Sequence, residues 1–233
     1  MKNSKNYFLS FLFFVLLAAG CSSEADDGLP EATMASTMAD AQDKIPPSFI
    51  TANNGENSRG LVIEYFVREF IFSREGGANG LGHVGVAFRY IVHRNGMQTH
   101  NIYYWGGVEN PNGHFFIWPG QNNGGFVFQG SWHTMMADMK SKGYTRYKIR
   151  NANRKLAYQQ VINGYNKLIN FPDRGYKAIG QQGTQGNNCA DACEDVLWEL
   201  KTPNVANMAF PYNWAPNNWF NNTNNGWNLF KMN

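Results

Sequence analysis

Cysteine is scarce in this chain, charge is sparse, and no apolar run is long enough to cross a bilayer. Three cysteines in 233 residues are too few and too unevenly spaced for the disulfide framework of a small secreted domain. Cys189 and Cys193 lie four apart on what reads as one helix. Their α-carbons fall within nominal disulfide range, but the side chains rise in parallel, which argues against a bond between them. No second cysteine pair and no His-x3-His spacing accompanies them, so a metal site is not expected. Charged residues make up 16% of the chain and the formal net charge is only +3. Without a basic run or stripe, nothing recruits nucleic acid. The most apolar segment, residues 7–19, stops short of the roughly 20 residues a spanning helix needs. No internal repeat is evident.

That short segment follows Lys2 and Lys5, the order of an export signal. It ends in Leu17-Ala18-Ala19-Gly20-Cys21, which resembles the lipobox of bacterial lipoproteins. The resemblance implies cleavage before Cys21, acylation of that cysteine, and a bilayer as a partner through the attached lipid. Each buried CH₂ contributes about 0.8 kcal/mol, so two or three acyl chains on one residue anchor a protein without a transmembrane helix. The expected place is the outer membrane or the cell surface, outside the cytoplasm. Residues 1–20 are then the signal, and residues 21–48, rich in Ala, Met, Thr, Asp and Pro, form a flexible tether. Residues 49–233 suffice for one core of ordinary size.

Within that domain, residues 61–72 alternate acceptably as a strand and also fit a helix, with aromatic and β-branched content favouring the strand. Residues 83–94 and 97–105 flank Asn95-Gly96, the pair a type I′ hairpin turn demands because both central residues need positive φ. Residues 126–128 and 144–150 read as strands. A helix over 131–142 is expected to open at Ser131, and another over 153–170 at Asn153, with Pro172 beyond its end. A third follows Asn188 as N-cap and stops before Pro203. The Asn- and Trp-rich tail from residue 204 shows no period.

A reactive cysteine needs its thiolate favoured, and the first turn of a helix does this through unpaired N–H groups and the macrodipole. Cys189 sits there, whereas Cys193, one turn deeper in line with Val196, Leu197 and Leu200, reads as a small buried apolar residue. The thiolate also needs an imidazole, and His83, opening a strand behind a glycine loop, is the best placed of the five histidines.

The stretch Gly82-His83-Val84-Gly85-Val86-Ala87-Phe88, followed about a hundred residues later by Asn188-Cys189, resembles the circularly permuted branch of papain-like NlpC/P60 cysteine hydrolases. The likeness runs roughly over residues 61–200. It implies an α+β fold, an antiparallel sheet with packed helices, with Cys189 as nucleophile and His83 as general base and acid. Tyr176 or the Cys189 amide would be oxyanion donor, cell-wall peptide or peptidoglycan the substrate, and no cofactor would be needed. An obvious polar third member after His83 is lacking. An acyltransferase or thioesterase-like enzyme of the same fold is the enzymatic alternative. A non-catalytic surface module using Trp214, Trp219 and Trp227 is the other.

Hairpin register narrows the search for a partner of His83. With a two-residue turn, Arg94 faces Met97 and opposed residue numbers sum to 191, so Ile91 faces His100 and Ala87 faces Tyr104. His100 is then about 26 Å along the strands from His83 and is rejected. Tyr104, expected on the face of His83, and Glu109, just past the hairpin, are the candidates. Gly85 and Ala87 are expected to leave room there for the cysteine helix.

Overall fold

The computed structural model describes residues 62–75, 82–109, 116–117, 120–121, 124–177, 188–208 and 215–233. The signal, Cys21, the tether and the Gly-rich loops around residues 78 and 183 lie outside them. Among the described residues, nine strands and four helices follow one another as β1 (Ile63–Arg74), β2 (His83–Arg94), β3 (Met97–Gly107), β4 (Phe116–Ile117), β5 (Phe126–Gly130), α1 (Trp132–Ser141), β6 (Arg146–Arg150), β7 (Arg154–Leu156), α2 (Tyr158–Ile169), β8 (Tyr176–Lys177), α3 (Cys189–Glu199), α4 (Pro216–Asn222) and β9 (Trp227–Lys231). The main sheet has the order β5-β3-β2-β1-β6-β9, with β7 pairing the other half of the β1 edge that β6 uses, and β4 pairs β8 separately. Every pairing is antiparallel. The fold is thus α+β, built on an antiparallel sheet.

The hairpin turn is as expected: Asn95 and Gly96 take φ of 49° and 78°, the pair of left-handed conformations that matches strand twist. The register beyond it is not. Arg94 faces Met97 and His93 faces Gln98, but a bulge between Val92 and His93 then sets Val92 against His100 and Phe88 against Tyr104. One extra residue on β3 transfers every later side chain of that strand to the other face.

The two sheet faces bury separate apolar clusters. Val84, Val86, Phe88, Tyr90 and Val92 share one with Tyr104, Val161, Leu168, Val196 and Leu197, so α2 and α3 cover that side. Ala87, Phe70, Phe72 and Trp105 share the other with Met135 and Met139 of α1 and with Tyr144. The cysteine helix therefore docks against Val84 and Val86. The space beside Gly85 is taken from the opposite side, since a β-carbon there would lie 2.8 Å from Met139 and 3.0 Å from the Tyr144 hydroxyl.

Two further expectations are corrected. Asn153 does not cap α2, because residues 154–156 instead add β7 to β1. There Arg154 reaches buried Glu69 through Nε at 2.8 Å and donates from Nη1 to the Lys201 carbonyl. That ion pair holds β7 against β1, and the helix starts at Tyr158, where its apolar spacing begins, with Ala157 in place of Asn153 as N-cap. The tail contributes α4 and β9. Lys148 holds α4 in place, its ammonium donating to the carbonyls of Phe220 at 2.6 Å and Thr223 at 2.7 Å, a cation at a helix C-terminus.

Candidate active site

His83 is the first residue of β2 and is 3% exposed. Gly82 before it has φ +70°, and a β-carbon at that position would collide with Asn217. Only glycine therefore brings the chain to His83 along this path.

Glu109 lies two residues beyond β3, with Oε1 3.0 Å from His83 Nε2. Its other oxygen stands 3.7 Å from Arg74. Arg74 faces His83 across the β1–β2 ladder and donates to the Lys142 carbonyl at 3.0 Å. Burial pushes the Glu109 carboxyl upward, but His83, through charge and hydrogen bond, and then Arg74 and Lys142 outweigh it, so the net shift is downward. Glu109 is thus a carboxylate at neutral pH, and a carboxylate at Nε2 fixes the imidazole tautomer with its proton there.

Cys189 opens α3 and is fully buried. Asn188 caps the helix, its Oδ1 accepting from the amides of Ala190 at 2.9 Å and Asp191 at 3.1 Å. Cys193 is buried as expected, and burial drives its thiol well above the ordinary range. Two carboxyls of the same helix, Asp191 and Glu194, are pushed up to about 7, chiefly by burial. Glu194 accepts the Met208 amide at 3.0 Å.

Of the candidates for the third member, Glu109 reaches His83 and Tyr104 does not. The bulge turns Tyr104 to the other face, where its ring meets Phe88 at 5.4 Å and Tyr165 at 5.1 Å. His100 packs edge-on against Tyr90 at 5.4 Å, and by register it too lies on the face away from His83. Tyr176 is buried in β8, in the apolar cluster that holds Cys189.

Sequence reasoning missed Tyr144. Its ring stands 5.7 Å from the His83 ring, and its hydroxyl would be 3.0 Å from a β-carbon at Gly85 or Gly107. Burial raises its phenol strongly, and the charges of Glu109, Cys193 and Cys189 push the same way. Tyr144 therefore stands beside the His83–Glu109 pair on the α1 side of the sheet. The signal available in the sequence was the spacing of Gly85 and Gly107, two residues without side chains on facing strands.

Among the described residues no cluster of His, Cys, Asp and Glu is fit to hold a metal ion. No protein-family model, curated protein or solved structure matches the chain.

Proposed function

We propose that this chain is a papain-like thiol hydrolase that cleaves amide bonds of cell-wall peptides, held to a membrane by lipid on Cys21. The observation that carries the reading is the 3.0 Å pairing of His83 Nε2 with the Glu109 carboxylate, on the strand against which the Cys189 helix packs. That pairing supports Glu109, one of the two candidates named above, as the polar third member. A general base needs an orienting partner on one nitrogen so that the other can exchange protons.

In the proposed reaction, Nδ1 of His83 takes the Cys189 proton and the thiolate attacks the amide carbonyl carbon. The carbonyl π pair moves onto oxygen, which the Cys189 amide and Tyr176 stabilise. Collapse breaks the C–N bond, the imidazolium returns its proton to the leaving amine, and a thioester remains. Water, deprotonated by His83, attacks that thioester, and the products are a carboxylic acid and the restored thiol. Throughout, Glu109 holds Nε2–H and offsets the transient positive charge on the ring.

The test is digestion of purified peptidoglycan, with mass spectrometry of the released peptides. Wild type is expected to yield fragments carrying one added water per cleaved amide. Cys189→Ala should yield none, and Cys193→Ala should retain most of the activity. Equal loss in both variants, each still folded, contradicts the assignment of Cys189.

A further inference from the structure

We propose that β9 is the contact through which two copies of this chain pair edge to edge, antiparallel, about a two-fold axis at Leu229. The inference is independent of the hydrolase reading.

β9 ends the strand path β5-β3-β2-β1-β6-β9. An end strand keeps a row of N–H and C=O groups that no neighbouring strand satisfies, and proteins ordinarily blunt such an edge. The β5 edge is blunted. Every residue of β5 is buried or half-buried, and Lys142 lies over Phe126 at 4.5 Å and Phe128 at 5.4 Å. The β9 edge is open. Past Trp227 every residue of the strand is exposed, with Leu229 at 56% and Phe230 at 41%.

The bonds at the two ends of β9 decide which backbone groups face outward. The Asn151 amide donates to the Gly226 carbonyl at 3.1 Å, and the Met232 amide donates to the Thr145 carbonyl at 2.9 Å. Alternate residues of an antiparallel strand turn both amide and carbonyl to the same neighbour. With a register free of bulges, Gly226, Asn228, Phe230 and Met232 are turned to β6. Trp227, Leu229 and Lys231 are turned outward. The Trp227 amide donates to the Asn224 carbonyl at 3.0 Å, which leaves the amides of Leu229 and Lys231 and three carbonyls for a partner strand.

A second β9 uses these groups in one symmetric register. An axis at Trp227 lacks the amide, and an axis at Lys231 sets two lysines face to face, which repels. With the axis at Leu229, the two Leu229 amides donate to the two Leu229 carbonyls, and each Lys231 amide donates to the Trp227 carbonyl of the second copy. The same register covers both exposed apolar side chains. Leu229 is opposite Leu229 of the second copy on one face of the sheet. On the other face Phe230 stands diagonal to Phe230 of the second copy, a spacing that aromatic rings span. Phe230 is already stacked on Tyr147 at 5.3 Å, so little further ordering is needed for that contact. Backbone groups, charge and apolar pairs agree in a single self-complementary register, which selects a second copy over a foreign strand. Such a contact uses the same patch on both copies and closes on itself.

The test is sedimentation equilibrium of the purified full chain in density-matched detergent. It spans about 1 to about 200 µM, because so small an interface gives a dissociation constant in about the micromolar range. Leu229→Pro removes an outward amide and no bond to β6, so the strand is kept. Leu229→Lys sets like charges at the axis. Wild type is expected to dimerise, and each substitution to raise the dissociation constant at least about tenfold, with the unfolding temperature of Leu229→Lys near that of wild type. Should Leu229→Pro fail to fold, Leu229→Lys decides. Under mild oxidation Leu229→Cys is expected to form a disulfide between copies, since the α-carbons paired there stand about 5.5 Å apart. Phe230→Cys, diagonal at about 7–8 Å, is not. Equal cross-linking at both positions overturns the register. A dimer that both substitutions leave unchanged overturns the assignment to β9. A monomer at every concentration overturns the proposal, and β9 amides protected from exchange only on adding an extended peptide would assign the edge to a foreign strand.

Discussion

A neutral histidine can carry its proton on either nitrogen, and a carboxylate at one of them decides which. Glu109 does this for His83 from 3.0 Å, with Arg74 behind it to keep the carboxyl ionised. Glu109→Gln keeps the shape but removes the charge that offsets an imidazolium, so hydrolytic kcat/KM is expected to fall by at least about a hundredfold with little change in KM. His100→Ala should leave both constants near wild type, since His100 packs on Tyr90 at the far part of the hairpin. Steady-state kinetics on a soluble peptide amide checks both variants. A Glu109→Gln enzyme as active as wild type would reduce Glu109 to a structural neighbour.

At the scale of elements, α3 carries two carboxyls whose burial lifts them to about 7, Asp191 and Glu194. A folded-state pKa above the unfolded one means stability that is complete below about pH 4 and is lost as pH rises through about 7. Thermal unfolding from about pH 5 to about pH 8 should therefore show a falling midpoint, with a smaller fall in Asp191→Asn. An equal fall in both would remove Asp191 as a cause. The hairpin, α1 and the capped start of α3 were legible because turn and cap residues act locally: Asn95-Gly96, Ser131 and Asn188 each satisfy their own backbone. The bulge was not legible, since Thr99 carries no local mark of an extra residue. It alone moved Tyr104 off the face of His83. The start of α2 was misjudged because Glu69, distant in sequence, captures Arg154. The sheet face on which α3 docks was missed for a related reason. Gly85 announces a space, but not which neighbour fills it, and the occupants are Met139 and Tyr144.

At the scale of the whole molecule, a six-strand path with helices on both faces brings His83, from the start of the second strand, near a helix that begins 106 residues later. No described helix is long and apolar enough to cross a membrane. In the proposed account the protein is attached through lipid on Cys21. Cys21→Ser is expected to move the protein from the membrane pellet to the soluble fraction, and persistence in the pellet after a salt wash would count against lipidation. The central claim is that Cys189 and His83 act as one pair. It is tested most directly by the pH dependence of Cys189 alkylation in wild type and in His83→Ala. The account predicts a wild-type midpoint well below the ordinary thiol value of about 8.5 and a return to about that value without the imidazole. The same midpoint in both proteins would contradict it.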